Sequence, residues 1–362
     1  MLSKLIVLTN IKSSNQKYHL LDSKYMLRAI ELARNGLGRV SPNPMVGCVI
    51  VRKNQIIGEG WHQVHGGPHA EVIAVKAVGD ESQLRESEIY VNLEPCSHYG
   101  KTPPCADMLA RLQVKHVILS TRDINPLVQG KGISILESAG IQVTEGMLAP
   151  EAYELNRRFF TYHSLGRPYL ILKWATTADG YMARENNDSK WISNVYSRQI
   201  VHKWRSEEDG IMVGANTVKH DDPALNVRDW DGRDPVRIII DPHLKITGNY
   251  KIFNTRQKTL VYNLQEDSAT ENLMYIKLEE SSFLSLVLYD LKNKGIQSVL
   301  VEGGKYLLEN LIQAGTWDEA RVFSSPLTFG SGLEAPRLVN AELLEKHRIF
   351  DDDLLIFKKR NH

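Results

Sequence analysis

Two short stretches of this 362-residue chain carry groups that bind metal and move protons. They are Gly66-Gly67-Pro68-His69-Ala70-Glu71 and Pro95-Cys96-Ser97-His98-Tyr99-Gly100-Lys101-Thr102-Pro103-Pro104-Cys105. A zinc ion that activates water needs three protein ligands and one open position, and His69 with Cys96 and Cys105 meets that need. Glu71 follows His69 by two residues. It is too near to be a relaxed fourth ligand on the same helix face, yet near enough to reach a water in the open position, so it reads as the proton carrier. The chemistry implied is hydrolytic replacement of an amino group on a nucleobase-like ring. The competing readings are a structural zinc or a pair of inert buried thiols.

The elements that must position these groups favour the first reading. A strand-like run from Glu88 to Leu93 leads into Glu94-Pro95-Cys96, and the spacing of Val72, Ile73, Val75 and Val78 predicts a helix that His69 opens. Pro104-Cys105 precedes the helical pattern Met108, Leu109, Leu112. Cys105 is therefore expected at a helix N-terminus, where the dipole and free N–H groups favour a thiolate. The eight residues between Cys96 and Cys105 argue against a redox CxxC or a rubredoxin-like knuckle. Cys48 lies in the apolar strand Val46 to Val51 and is read as core.

The remaining pattern is alternating α/β. A helix is expected from Ser23 to Gly36, then a hairpin of two strands (46–51 and 55–58) around Lys53-Asn54, helix 69–79, strand 88–93, helix 104–112 and strand 115–120. A helix-like segment from Pro150 to Ser164 precedes Gly166-Arg167-Pro168, the expected domain boundary. Beyond it come strand 169–174, helix 197–206, strands 210–213, 236–241 and 259–262, helix 283–294, strand 298–301, helix 305–314 and two extended segments, 320–324 and 348–357. The expected division is an N-terminal extension (1–21), a first domain (22–165) and a second (166–362), two cores being the default at this length.

A second site is suggested where strand 298–301 runs into Glu302-Gly303-Gly304 and a helix, since backbone amides there can approach a pyrophosphate. Val213-Gly214-Ala215-Asn216-Thr217 is a second strand-glycine-helix junction, and the pair suggests a phosphate-bearing cofactor. Arg205 and Arg228 are candidates for a substrate phosphate, each also readable as a surface residue. Lys173, Asp179, Asp221 and Glu302 are polar groups at strand ends or the turns that follow, where open α/β sheets place their sites. Asn43 reads either as a ligand-contacting amide or as an Asn-Pro turn residue.

Charge is balanced, 44 Lys plus Arg against 43 Asp plus Glu, so no strongly basic field marks a nucleic-acid binder. Three cysteines leave no disulfide framework and suit a reducing compartment. The apolar run Leu5 to Leu8 is too short for a signal-peptide core, and no stretch approaches membrane-spanning length. A soluble cytoplasmic protein is expected, binding neither nucleic acid nor membrane.

Taken together, these residues resemble the bifunctional riboflavin biosynthesis family, a pyrimidine deaminase fused to a pyrimidine reductase. In the first half the resemblance rests on Ser41-Pro42-Asn43-Pro44-Met45-Val46-Gly47, on Gly66 to Glu71 and on Glu94 to Cys105. In the second it rests on Lys173-Trp174-Ala175, Asp179-Gly180, Trp191-Ile192-Ser193, Val213 to Thr217, Asp221-Asp222-Pro223-Ala224-Leu225 and Val301-Glu302-Gly303-Gly304. The resemblance implies a cytidine-deaminase-like three-layer domain followed by a dihydrofolate-reductase-like domain. It also implies zinc-dependent deamination of a ribosylated, 5′-phosphorylated diaminopyrimidinone, then reduction of the ribosyl group to ribityl with NADPH. By motif position Ala175, Trp191, Thr217, Asp221 and Gly304 would line the NADPH site. Ser189, Arg205, Leu225, Arg228 and Glu302 would meet substrate, with Asn43 in the first domain and Lys173 polarising the reacting carbon in the second. Thr177-Ala178 replaces the family's usual Ser-Leu, a departure expected to alter packing beside the nicotinamide. A homo-oligomer is expected. The alternatives are a tRNA or free-nucleoside deaminase with an accessory domain, and a binding module with structural zinc.

Overall fold

Side chains alternate along Gly47–Arg52 (β1), and both faces are buried: Cys48 and Ile50 pack one way, Val49 and Val51 the other. A strand apolar on both faces must be sandwiched, and helices cover it on each side. In the computed structural model, which describes residues 20–98, 103–125, 129–186, 188–254 and 256–360, α1 (Leu20–Ala33) presents Met26, Ala29 and Ile30 to Val49 and Val51. On the opposite face Ala70, Ala74 and Val75 of α2 (Ala70–Val78) pack with Cys48 and Ile50. The expected extension up to residue 19 and Tyr99 to Thr102 of the loop between the cysteines lie outside the described residues.

The hairpin partner of β1 is β2 (Gln55–Trp61), reached through Lys53 and Asn54 with φ of 49° and 61°. Two successive residues at positive φ form the primed turn that matches strand twist. The sheet order is β2-β1-β3-β4-β5, with β3 (Glu88–Leu93), β4 (His116–Thr121) and β5 (Gln142–Glu145) parallel to one another and β1 antiparallel to β2 and β3. Two helices, α3 (Cys105–Leu112) and α4 (Lys131–Ser138), join α2 on one face, and α5 (Ala149–Leu155) joins α1 on the other. This is a three-layer α/β/α unit. The elements α4 and β5 carry too few periodic apolar residues to be read from the sequence.

The segment 150–164 is not one helix. It breaks at Asn156, whose side-chain amide accepts from Met45 N at 2.8 Å and donates to Met45 O at 2.9 Å. The next helix, α6 (Arg157–Leu165), carries Arg158, paired in the interior with Glu208. The two compact units of the chain, Met1–Arg157 and Arg158–His362, part at this break.

The second unit holds a ten-stranded sheet in the order β11-β12-β10-β9-β8-β13-β6-β14-β17-β16. Its parallel centre is β6 (Tyr169–Thr176), β8 (Gly210–Gly214), β9 (Val236–Ile240), β10 (Thr259–Asn263), β12 (Leu273–Lys277), β13 (Ser298–Gly303) and β14 (Glu319–Ser324). The helices α7 (Val195–Glu207), α8 (Ala215–Asp221), α9 (Phe283–Asn293) and α10 (Lys305–Gln313) cover its faces. The short β7 (Tyr181–Ala183) pairs with β15 (Leu333–Glu334), and β11 (Ser268–Ala269) edges the sheet. The segment 348–357, expected as one extended run, spans a turn at Phe350-Asp351 between the antiparallel strands β16 (Ala341–Ile349) and β17 (Asp352–Lys359). Exposed charges along β16 hide its strand period.

Helix α2 rests on β2 with almost no space between backbones. A Cβ on Gly60 would lie 2.5 Å from Ala70 O and 2.6 Å from Ala74 N, and one on Gly58 would lie 2.4 Å from Ala74 O. Substituting G60A is expected to push α2 outward, lowering the stability of the first unit by about 1–3 kcal/mol and weakening metal retention. Thermal melting together with metal analysis of the purified variant checks both.

Candidate metal and cofactor sites

His69 is the N-cap of α2, with φ −74° and ψ 163°, and Cys105 is the first residue of α3 after the N-cap Pro104. Cys96 lies in the loop that leaves β3. That loop is anchored by the Glu94 carboxylate, which accepts N–H groups from Asp123 (3.2 Å), Gly130 (3.0 Å), Gly132 (3.0 Å) and Ile133 (3.4 Å). Glycine is required at 132, because a Cβ there would sit 2.1 Å from Pro95 O.

These constraints bring three donors together. His69 Nδ1 lies 3.4 Å from Cys96 Sγ and 3.5 Å from Cys105 Sγ, and the three ligand atoms lie within 4.8 Å of one another. Around a tetrahedral zinc with ordinary Zn–S and Zn–N bonds, a nitrogen and a sulfur ligand stand roughly 3.6 Å apart. The donor set therefore fits the ion. Hydrogen bonds from the Cys105 thiol, His69 and the Cys105 backbone N–H hold the Cys96 thiol far below its ordinary value, while the same sulfur–sulfur contact and burial push the Cys105 thiol up, so the pair shares one proton between two adjacent sulfurs. Among the described residues the cluster holds these three groups, without Glu71.

Glu71 sits in the first turn of α2 and is buried. Burial pushes its carboxyl up, and the neighbouring Cys96 sulfur adds to the effect. The sequence reading missed a supporting histidine. His62 Nδ1 lies 3.0 Å from Pro68 O, a pure acceptor, so that nitrogen carries the hydrogen and Nε2 accepts from Asn43 Nδ2 at 3.0 Å. Burial lowers His62 and keeps it neutral. Asn43 is also a turn residue, its N–H donating to Val40 O at 2.8 Å, as the turn reading expects. Cys48 is fully buried in the core.

In the second unit a cavity of about 1240 Å³ opens at the carboxyl ends of the parallel strands. Lys173, Ala175, Ser189, Trp191, Arg205, Thr217, Asp221, Arg228, Glu302 and Gly304 all line it. The two glycine junctions meet there: a Cβ on Gly303 would lie 2.9 Å from Thr217 Oγ1, and Gly304 has φ +78°. Leu225 is not in the wall. Its side chain is buried in the core at φ 52°. Asp179 is also elsewhere, accepting N–H from Phe329 (2.9 Å) and Gly330 (2.7 Å). Thr177 and Ala178 do not line the cavity. Thr177 Oγ1 instead donates to Asp179 at 2.5 Å and accepts from Tyr181 N at 3.0 Å, so the departure from Ser-Leu acts on that turn.

The cavity floor is a charged network. Arg205 grips Glu302 with two bonds of 2.6 and 2.9 Å and donates to Asn226 O at 3.1 Å, while Lys173 Nζ stands 3.9 Å from Glu302. Burial would raise the Glu302 carboxyl, but Arg205 and Lys173 overcome it and bring it down to about 2. Burial lowers Lys173 in turn, opposed by Glu302. Other wall residues were not legible in the sequence. They include Arg198, stacked 4.3 Å over Trp191, His202, and the turn Asp241 to His243. Trp191 itself sits at φ 67°, a strained backbone that its surroundings hold at the cavity rim.

The fold and the two sites define a zinc-binding deaminase unit joined to an NADPH-dependent reductase unit. The model of the cytidine and deoxycytidylate deaminase zinc-binding region matches residues 20–121, and that of the RibD C-terminal domain matches 168–358. The chain is 39% identical to the riboflavin biosynthesis protein RibD of Aquifex aeolicus (strain VF5), over 94% of this chain and 99% of the relative. It is 38% identical to that of Escherichia coli (strain K12), over 94% and 96%. A solved diaminohydroxyphosphoribosylaminopyrimidine deaminase/5-amino-6-(5-phosphoribosylamino)uracil reductase from Thermotoga maritima superposes with a TM-score of 0.87 at 35% identity, covering 94% of this chain and 99% of that one. The chain belongs to the RibD family of bifunctional riboflavin biosynthesis enzymes.

Because Glu302 is held at about 2 against an ordinary 4.5, its pair with Arg205 stabilises the second unit fully above about pH 4.5 and progressively less as pH falls toward 2. The contribution at neutral pH is on the order of 3 kcal/mol. E302Q is expected to lack this component of acid sensitivity and to be less stable at neutral pH, as urea denaturation of both proteins between pH 3 and 7 would show.

Proposed function

We propose that the chain deaminates 2,5-diamino-6-ribosylamino-4(3H)-pyrimidinone 5′-phosphate at the His69–Cys96–Cys105 centre and reduces the product to 5-amino-6-ribitylaminouracil 5′-phosphate at the large cavity of the second unit. The observation that carries the first half is the convergence of one nitrogen and two sulfurs at zinc-ligand spacing, with a buried carboxylate beside them. Zinc held there supplies Lewis acidity toward water. Glu71 takes a proton from the attacking water and returns it to the departing nitrogen. Water adds at the ring carbon, the carbon–nitrogen bond breaks, and ammonia leaves. Burial of Glu71 supports this role, because a carboxyl raised toward neutrality can both accept and donate. Asn43, held by neutral His62, is the amide that would orient the ring.

In the second unit NADPH supplies the hydride. Gly304 and Thr217 are assigned to its phosphates, and Ala175, Trp191 and Asp221 to the rest of its wall. Arg205 is already neutralised by Glu302, so the anionic phosphate of the substrate falls chiefly to Arg228, whose guanidinium is half exposed. Ser189 and Glu302 would bind substrate hydroxyls. Lys173, the buried cation beside Glu302, would hold a proton at the opened sugar where the hydride arrives. Leu225 would act through the shape of its turn, since its side chain faces the core.

The enzyme acts on a small molecule, and no helix among the described residues is long and apolar enough to cross a membrane. A cytoplasmic location is part of the proposal. So is a homo-oligomer, supported by the edge strand β16 with Leu343 and Leu344 half exposed; a solution mass of one chain by light scattering would refute it.

E71Q is expected to retain zinc while ammonia release falls by about 10²–10⁴, and NADPH oxidation on the deaminated intermediate is expected to persist. Parallel loss of both activities would refute separate sites.

A further inference from the structure

His202 lies on α7 one turn before Arg205, so both side chains leave the helix on the same face and both line the cavity. Its ring is almost completely buried, yet both nitrogens have partners on one short loop. Nδ1 is 3.4 Å from the backbone N of Arg228, and Nε2 is 3.2 Å from the Asp229 carboxylate. A backbone N–H can only donate and a carboxylate can only accept. The tautomer is therefore fixed: Nε2 carries the hydrogen and Nδ1 is the acceptor. A doubly protonated ring would set two N–H groups against each other at Arg228. Burial first, then the Arg205 and Arg228 cations, lower His202 to about 4, with Asp229 and Glu302 opposing, so the neutral form prevails.

The loop is tied at its two ends, by Gln257 Nε2 on Leu225 O at 3.2 Å, Lys203 Nζ 5.7 Å over the Trp230 ring and the Arg233–Asp209 pair, while the Arg228 N–H and the Asp229 carboxylate between them meet His202. The beginning of the loop is also tied to α7 by Arg205 Nη1 on Asn226 O, and Val227 N–H donates to Asp234. The Arg228 side chain has its ionic contact with Asp229 at 3.5 Å, the same carboxylate oxygen that His202 engages. We infer that His202 is a positioning residue that clamps the Arg228–Asp229 backbone to α7 and thereby aims the Arg228 guanidinium at the phosphate end of the substrate. This rests on the assignment of Arg228 to that phosphate under the proposed function.

The test uses the full-length enzyme and steady-state NADPH oxidation with two probes, the deaminated ribosylaminopyrimidine 5′-phosphate and the same compound without phosphate. In H202F, which fills the space but bonds to nothing, KM for the phosphorylated probe is expected to rise about tenfold. Its kcat and the KM for the dephosphorylated probe should stay within about twofold. In H202N, whose Oδ1 falls near the position of Nδ1 and can still accept from Arg228 N–H, KM should recover most of the way. Adding R228A to H202F should cost no more than R228A alone, because both act on one contact.

A fall in kcat with KM unmoved, an equal rise for both probes, or effects of H202F and R228A that multiply would overturn the inference. If R228A itself leaves KM for the phosphorylated probe unchanged, the assignment of Arg228 fails first. If R228A raises it and H202F does not, the role of His202 alone falls. Should H202F fail to fold by thermal melting, H202Q carries the decision. Its amide can reach Asp229 but cannot accept from Arg228 N–H in the same geometry, and a KM for the phosphorylated probe equal to wild type would refute the clamp.

Discussion

A helix can deliver a side chain to a metal only if its own axis is held to within a few tenths of an ångström, and here that is achieved by removing side chains. Gly58 and Gly60 let the backbone of α2 touch β2, and Gly132 does the same between α4 and Pro95. With no flexible groups at these contacts, the N-terminus of α2 and the Cys96 loop have little room to shift. The spacing of His69 from both sulfurs follows from those contacts, and so does the burial of Glu71 in the first turn of the helix. Polar groups finish the task. Glu94 gathers four backbone N–H groups of the loop opposite, and Asn92 and Asn156 together hold Met45, which fixes the segment carrying Asn43.

The second unit solves a related problem with charge. On the proposed assignment its cavity receives an anionic cofactor and an anionic substrate, yet its floor contains a carboxylate. Glu302 is paired with Arg205 and stands 3.9 Å from Lys173, and its charge opposes the burial that lowers Lys173 at the carboxyl end of the sheet. A buried charge of this kind is tolerated only when paired. The two arginines differ in their partners: Arg205 is paired closely with Glu302 in the floor, whereas Arg228, on an irregular loop, is half exposed with a longer contact to Asp229, the difference on which the proposed assignment of the substrate phosphate rests. Backbone approach supplies the rest, through the glycine junctions that meet at Thr217.

Much of this was legible in the order of residues. The convergence of His69, Cys96 and Cys105, with Glu71 buried in the same helix start, could be anticipated because their types, spacing and helix-start setting are unusual in combination. Most strands of both sheets were legible because both of their faces are apolar, and the Lys53-Asn54 hairpin because a two-residue polar turn whose asparagine tolerates positive φ separates two apolar runs. Other features were hidden for physical reasons. The break at Asn156 depends on a bond to Met45, more than a hundred residues away, and β16 reads as polar because it is an exposed edge. Leu225 matches a family motif, but whether a motif residue faces the cavity or the core is decided by a backbone angle. Thr177 and Ala178 departed from the family pattern without consequence for the cavity, since their partners are Asp179 and Tyr181.

By itself the sequence determined the donor set, the two α/β cores and the pair of activities, because these depend on residue type and on local periodicity. Only the tertiary structure decided which charges are paired with one another. It paired Arg205 with Glu302, committed Asp179 to a loop, and set His202 between Arg228 and Asp229. Such pairings join residues far apart in the chain, so no local pattern encodes them; they come into being when the sheet orders its strands and brings their carboxyl ends to one opening.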